Sequence, residues 1–392
     1  MKDPQPSPSG EGGAKRRVRG GHRQPDDRND SILRVIVRRG SSRIDRALPE
    51  WGGEEVIVRY DCATGAWIII AIHSTRLGPT VGGTRLKSYR TFSDALGDAL
   101  RLAEGMTNKF AVFGFPRGGA KAVINVPQGF QESQRVPLLH RYARLLRQLG
   151  EIFTTGPDVG TSSVDMDIID AVAPGRAHSR SRSVGGSGSS SPATALGVFK
   201  AMGAASEIVF GSESLEGRSV LVQGAGKVGE TLLDLLVSDG APVAFADIDR
   251  HRVAELKKRR FAFVEPDEAY AYPCDVFAPC ALGGILNRRT IPRLRCKIVV
   301  GAANNQLHRP ADADALQKRG IVYVPDFVAN AGGAMAITGL EALGWSEAEA
   351  LDRVRSIGAV TRLVLLYARE NAVTPEEAAR RIAQDHLSAA PP

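Results

Sequence analysis

From Glu55 onward the chain alternates apolar runs with polar, glycine-rich breaks. VIVRY (Val56–Tyr60) and WIIIAIH (Trp67–His73) read as strands joined by the turn DCATG. In Thr91–Gly105 (TFSDALGDALRLAEG) apolar residues recur at helical spacing, and Ser93 is placed to cap a helix from Ala95. AVIN (Ala122–Asn125) is a further short strand. VPLLHRYARLLRQLG (Val136–Gly150) is an amphipathic helix with a glycine at its end. GRAHSRSRSVGGSGSSSP (Gly175–Pro192) is rich in Gly, Ser and Arg and reads as a linker or mobile loop. Beyond it the rhythm is strand, helix, strand. SVLVQ (Ser219–Gln223), PVAFAD (Pro242–Asp247), DVFAP (Asp275–Pro279), KIVV (Lys297–Val300) and IVYVPD (Ile321–Asp326) are separated by helix or turn signals. That alternation predicts a parallel sheet covered by helices. The tail from Ser346 to about Ser388 reads as two helices, the second opened by Thr374-Pro375-Glu376-Glu377.

Composition adds little for the body of the chain and much for its start. The 392 residues are 43% hydrophobic and 24% charged, enough for two ordinary globular domains. The net charge is +8, but residues 1–46 alone hold 12 Lys+Arg against 6 Asp+Glu, leaving 39 against 37 elsewhere. This arm is rich in Pro, Gly, Ser and charge, so disorder is expected over 1–46. A basic arm can bind nucleic acid; a solvated tail is the simpler reading. The four cysteines form no CxxC pair, which argues against zinc and suits a reduced cytosol. The apolar run AWIIIAI is too short to span a bilayer, and no apolar leader opens the chain. Cytoplasm, with no membrane, is the expectation.

Gly224-Ala225-Gly226-Lys227-Val228-Gly229 fits G-x-G-x-x-G, follows an apolar strand and opens a helix. In such a turn the first glycine permits the bend, the second admits a pyrophosphate, and the third lets helix and strand pack. Phosphate then meets the positive end of the helix. Asp247 stands 18 residues after Gly229, at the end of the next strand. A carboxylate there suits ribose hydroxyls and repels a 2′-phosphate, favouring NAD over NADP, while Arg250 and Arg252 pull the other way. The alternative is a glycine-rich turn without a ligand.

In MTNKFAVFGFPRGGAK (Met106–Lys121) two lysines flank an apolar segment. Lys109 could bind a carboxylate. Lys121 could act as a base if burial beside another cation lowered its pKa. Gly118 and Gly119 would let the backbone approach a ligand. Alternatively, both lysines are surface residues beside a loop. Asp158, in Thr155-Gly156-Pro157-Asp158, is either a turn residue or a proton shuttle at a strand end. Asn304 and Asn305, just after KIVV, suit a carboxamide and ribose, or an ordinary turn.

Together these segments resemble the Glu/Leu/Phe/Val amino-acid dehydrogenases, closest to the leucine and phenylalanine enzymes. The likeness runs from about Glu55 to Ser388 through LGPTVGGTR, MTNK, GGAK, PDVGT, DMDII, SPAT, VQGAGKVG, APCALG, GAANNQL and NAGGA. It implies an α/β protein of two domains: an N-terminal substrate-binding, dimerisation-type domain over 47–175 and a Rossmann-like NAD-binding domain over 193–340. Residues 176–192 would link them, and C-terminal helices would fill 341–392. The implied reaction is NAD-dependent, reversible oxidative deamination of a hydrophobic L-amino acid, branched-chain first, to the 2-oxo acid and ammonium. By the resemblance Lys109 binds the substrate carboxylate, Lys121 is the general base, and Asp158 exchanges protons with the substrate nitrogen. Gly82, Gly83, Arg85 and Met106 would line the cleft, Arg85 on the cofactor side. Ser190, Thr194, Ala281, Leu282 and Asn304 would lie near the nicotinamide. Ala225, Lys227 and Val228 would lie in the phosphate turn, with Asp247 and Arg252 at the adenosine end. Gly156, Ala334 and Ile337 match side-chain pocket positions, and the small Gly156 and Ala334 leave room for an aromatic substrate as the alternative. The family usually has three glycines before the catalytic lysine; here Ala120 stands third. Glutamate would need a cation for its distal carboxylate, for which Arg117 is the only nearby candidate. Another alternative is a non-catalytic NAD-binding homologue whose arm holds nucleic acid. Retention of Lys109, Lys121 and Asp158 speaks against it. Relatives of this kind form homo-oligomers, and no metal is implied.

Overall fold

A computed structural model of the chain describes residues 33–34 and 48–390. The expectation of a disordered arm over 1–46 lies outside those residues, except that β1 (Leu33–Arg34) pairs antiparallel with β2. The first sheet contains β2 (Glu55–Asp61), β3 (Ala66–Ser74), β4 (Thr80–Lys87), β5 (Gly118–Asn125) and β6 (Phe153–Pro157), in the order β1-β2-β3-β5-β4-β6. Pairing is antiparallel from β1 to β5 and parallel across β5, β4 and β6. Helix α1 (Phe92–Ala111) covers one face. Helices α2 (Arg135–Leu149) and α3 (Ser163–Val172) cover the other.

Every residue of β5 is buried, as a central strand between two helical layers requires. Its side chains sort by the two-residue period. Ala120, Ala122 and Ile124 join Ile68, Ile70, Leu138, Leu139 and Tyr142 under α2, whereas Val123 packs with Ile69, Ala71, Leu96 and Leu100 under α1. Lys121 has the parity of Val123 and therefore points to the α1 side. Strand β4 has no clear signal in the sequence because Gly82 and Gly83 interrupt its apolar pattern. A Cβ at Gly82 would lie 1.7 Å from the Ala120 carbonyl oxygen, so glycine is what lets β4 lie against β5.

Helix α1 starts earlier and ends later than expected. Its N-cap is Thr91, not Ser93, because Asp94 closes a reciprocal capping box with Thr91. It continues through Met106–Lys109 to Ala111, so the first lysine sits in its last turn.

The second sheet is entirely parallel. It comprises β7 (Val220–Gln223), β8 (Val243–Ala246), β9 (Ala262–Phe263), β10 (Val276–Pro279), β11 (Ile298–Val299) and β12 (Val322–Tyr323), in the order β9-β8-β7-β10-β11-β12. That is the doubly wound arrangement, with the strand order reversing between β7 and β10. Helices α4 (Ser191–Phe210), α5 (Lys227–Ser238), α6 (Arg250–Lys258) and α7 (Asp312–Lys318) accompany it. So do α8 (Asp326–Ala329) and α9 (Gly332–Ala342). Helix α4 is long and apolar enough to cross a membrane by length and composition. Here Ala195, Val198, Ala201, Met202 and Ala205 of α4 lie in the core of this lobe.

The tail forms three helices, not two: α10 (Glu347–Arg355), α11 (Ile357–Glu370) and α12 (Pro375–Ala389). Thr374 caps α12 as its Thr-Pro-Glu-Glu signal predicts. This last helix returns to the first lobe. Ala378, Ala379, Ile382 and Ala383 share a core with Ala111 of α1 and Val112 just after it, and Arg380 pairs with Glu104 at 2.6 Å.

Candidate active site

Lys109 and Lys121 are both buried, at 7% and 4% exposure, which excludes the surface reading. Helix α1 and strand β5 bring them to one side of the sheet. The close approach depends on Gly119, where a Cβ would fall 2.0 Å from the Thr107 backbone nitrogen. Gly118 is likewise closed off, by the Ser74 carbonyl oxygen at 2.1 Å. Gly119 therefore serves helix–strand packing, and Gly118 the close approach of neighbouring strands. Ala120 turns its methyl group into the opposite core and does not reach the lysines.

Asp158 follows β6 directly. Its backbone forms the turn expected of the Gly/Pro sequence: Thr161 N–H donates to the Asp158 carbonyl at 3.0 Å. Thr161 Oγ1 bonds the Thr84 carbonyl at 2.8 Å, tying the turn to β4. The carboxylate then meets Lys121 Nζ at 3.2 Å and Arg85 Nε at 2.8 Å. Gly83 lies over this pair; a Cβ there would sit 3.1 Å from Lys121 Nζ. Gly156 pairs in register with Gly83, and among the described residues a Cβ on Gly156 would meet only the His178 carbonyl oxygen, at 3.9 Å.

The second lobe closes the other side through the C-terminal ends of β11 and β12. Lys109 Nζ donates to Asn304 Oδ1 at 3.4 Å, and Asn330 Nδ2 donates to the same oxygen at 2.8 Å. Met106, Lys109, Lys121, Asn304, Asp326 and Phe327 line one small cavity. Asp326 accepts from Gln306 N–H at 2.9 Å.

Burial and neighbouring charge set the protonation states. Burial pushes the Lys109 ammonium down to about 8, with Lys121 adding to the fall and Asp326 and Asp158 opposing it. Lys109 therefore stays mostly charged at neutral pH. Burial also lowers Lys121, against the Asp158 carboxylate and with help from the Arg85 guanidinium. Burial alone would raise Asp158, but Lys121 and Arg85 overcome it and hold the carboxyl at about 2. Two cations press on Lys121: Arg85, and Lys109, whose repulsion with it is mutual. Asp326 is raised, chiefly by burial.

The glycine turn is formed as the motif predicts. Gly224 has φ +92°, and a Cβ there would lie 2.5 Å from the Ala281 side chain. Gly229 faces the Gly224 carbonyl at 2.1 Å from its ideal Cβ position. Gly226 caps α5 without a side-chain bond, and only Arg252 Nη1, at 3.9 Å, would neighbour a Cβ. The first-turn N–H groups thus open onto free space, so the residues present fit a dinucleotide phosphate. Lys227 is exposed, and Val228 packs on the core. Asp247, after β8, accepts from Ala225 N–H at 2.8 Å, while Arg252 holds the Ala225 carbonyl at 2.9 Å. Ser190 and Thr194 sit against Gly333, and Leu282 is 68% exposed.

Arg85, assigned to the cofactor side, is taken up between Asp158 and Asp98, each at 2.8 Å. The Gly175–Pro192 segment is not simply a loose loop. Glu341 of α9 accepts from Ser179 N–H at 2.9 Å and Ser187 N–H at 3.0 Å. On the first lobe, Arg180 pairs with Asp170 at 3.0 Å and Ser181 N–H with Asp167 at 2.8 Å. Ala334 and Ile337 lie on the same helix as Glu341; Ile337 is 7% exposed. Asp326, Asp98, Tyr89 and Asn330 were missed. Asp326 ends the IVYVPD run, and its place at the carboxyl end of a parallel strand was the available signal. Nothing local marked Asp98 or Tyr89.

With these parts in place the chain can be assigned to a class: it belongs to the Glu/Leu/Phe/Val dehydrogenases. Residues 60–172 match the dimerisation domain of that family, and residues 245–390 match its glutamate/leucine/phenylalanine/valine dehydrogenase domain. It is an amino-acid dehydrogenase, an oxidoreductase of a nicotinamide-dependent family. A leucine dehydrogenase of Geobacillus stearothermophilus is 40% identical over 339 residues, covering 85% of this chain and 90% of that one. A valine dehydrogenase of Streptomyces albus is 38% identical over 344 residues, covering 86% and 93%. The crystal structure of L-tryptophan dehydrogenase from Nostoc punctiforme superimposes with a TM-score of 0.72 at 37% identity, covering 88% and 98%.

Proposed function

We propose that the protein catalyses the NAD-dependent, reversible oxidative deamination of a hydrophobic L-amino acid, branched-chain side chains first. The observation that carries this is that buried Lys121, paired with Asp158 at 3.2 Å, shares one cavity with a charged Lys109. Lys109 holds the substrate α-carboxylate, with Asn304 fixing its ammonium. Lys121, as the neutral amine, takes a proton from the water that adds to the imine carbon. Asp158, ionised and in contact with Lys121, exchanges protons with the substrate nitrogen, which leaves as ammonium. NAD supplies the hydride acceptor. Gly224, Gly226, Gly229, Asp247 and Arg252 are the residues that would hold it, with Ser190, Thr194 and Ala281 nearer its reactive end. The Asp247 carboxylate disfavours a 2′-phosphate. Closure of the two lobes would keep bulk water from the reacting centre. The match to a dimerisation domain supports a homo-oligomer, and a cytoplasmic location is part of the same reading.

An aromatic substrate is the second reading, favoured by the open space at Gly156. NADH formation with a panel of apolar L-amino acids tests both. Turnover highest with leucine, valine or isoleucine supports the first, and with phenylalanine or tryptophan the second. No turnover with any of them overturns the function. Lys121→Ala is expected to lower kcat by about 10²–10⁴-fold with NAD binding retained.

A further inference from the structure

Tyr89, Asp98, Arg85, Asp158 and Lys121 form one chain of contacts from the surface side of α1 to the centre of the cleft. Tyr89 hydroxyl donates to Asp98 Oδ2 at 2.5 Å. Arg85 Nη1 donates to the same oxygen at 2.8 Å, and its Nε donates to Asp158 Oδ2 at 2.8 Å. Lys121 Nζ stands 3.2 Å from that Asp158 oxygen. Arg85 and Asp98 have side-chain exposures of 14% and 13%, so water screens their interaction weakly. A planar guanidinium spanning two carboxylates fixes direction as well as charge.

We propose that Arg85 is a positioning residue, braced by Asp98 and Tyr89, that orients the Asp158 carboxylate by gripping Oδ2, the oxygen that Lys121 also meets by its own ion pair, and leaves the other oxygen of Asp158 free for the substrate. This rests on the reading of Lys121 as the base. Asp158 meets both cations through Oδ2, which directs Oδ1 to other partners. Asp98 stays ionised, since the Tyr89 hydroxyl and Arg85 overcome its burial. It supplies the countercharge that keeps Arg85 from overwhelming Asp158. The charges around Lys121 are Arg85 on β4, Asp158 after β6, and Asp98 and Lys109 on α1; Asp326 of the second lobe faces Lys109. Arg101 reaches Asp98 from outside, 3.4 Å from its other oxygen.

The two arms of this relay act on Lys121 with opposite sign. Removing the Arg85 cation raises the pH at which Lys121 loses its proton. Removing the Asp98 anion lowers it. Loss of packing would move both variants the same way. The experiment is pH-dependent competitive labelling of Lys121 with acetic anhydride, read by peptide mass spectrometry in the full-length chain. Arg85→Gln is expected to raise the midpoint by about 1 pH unit or more, Arg85→Lys to bring it back toward wild type, and Asp98→Asn to lower it. In parallel, the acid limb of kcat/KM for amino-acid oxidation should move up in Arg85→Gln and down in Asp98→Asn. A midpoint that does not move in Arg85→Gln, or shifts of the same sign in both variants, overturns the relay. Should Arg85→Gln not fold, the sign of the Asp98→Asn shift decides. Labelling needs no turnover, so the two readings fail separately. A chain inactive on every amino acid but with the predicted midpoints loses the proposed function and keeps the relay. An active enzyme with an insensitive Lys121 loses only the relay.

Discussion

At the scale of single residues, the site works by removing side chains as much as by adding them. Gly82, Gly119 and Gly229 admit no Cβ because another backbone lies within about the length of two bonds. Gly156 differs: it has room. Gly156→Ala is therefore expected to fold normally and to shrink the space beside the Asp158 turn. Each methyl-sized change is worth about 1–3 kcal/mol of discrimination, so kcat/KM should fall about 10-fold or more for the largest side chains accepted and little for the smallest. A substrate panel on purified variant and wild type checks this; an equal loss for all side chains would remove Gly156 from the pocket. The motif residues were readable because each acts through its own short segment. GAGKVG needs only a strand, a turn and a helix that adjoin in sequence. The ion pairs of Arg85 were not readable, because its partners, Asp98 and Asp158, lie 13 and 73 positions away.

At the scale of elements, α1 carries Lys109 and α12 packs against it. The first presents Met106 and Lys109 near its end; the second crosses from the other lobe to bury Glu376, with half-buried Arg380 paired to Glu104 of α1. Burial lifts the Glu376 carboxyl to about 7, against the opposing pull of Arg380 at 2.8 Å. A carboxyl raised in the folded state contributes its stability fully below its ordinary value of 4.5. That contribution is lost as pH rises through the folded value. Glu376→Gln cannot ionise, so its melting temperature relative to wild type should rise by about 2–4 °C between pH 5 and pH 8. Calorimetry at the two pH values measures it, and a constant difference would rule it out. Helices α1, α2 and α5 and most strands were legible from period and flanking signals; α3, α4 and the short helices α6 to α9 were not located. The exceptions have physical causes: glycines in β4 erase the strand pattern, and the three tail helices follow one another with too little break to count.

At the scale of the whole molecule, residues 175–192 join the two lobes by more than peptide bonds. The Glu341 carboxylate takes three donors from the segment: Ser179 N–H, Ser187 N–H and the Ser187 hydroxyl. Asp167 and Asp170 take Ser181 and Arg180 from the other lobe. Glu341→Ala leaves those donors without their acceptor. The segment contains Arg176, Arg180 and Arg182, so limited trypsin digestion should cut it about 10-fold faster or more in the variant, following the population of the open form. Equal cleavage rates would show that Glu341 does not hold the segment.

What the sequence determined by itself is local: the dinucleotide turn, the amphipathic helices, the alternation that predicts a parallel sheet, and Lys109, Lys121 and Asp158 as candidates for the site. Each depends on residues a few positions apart, where chain geometry leaves few choices. Only the tertiary structure decided which charges meet. The cation beside Lys121, the partner of Lys109 across the cleft, and the anchoring of the serine-rich segment all join residues far apart in the chain. Electrostatics acts through space, and its partners are set by packing that no short segment contains.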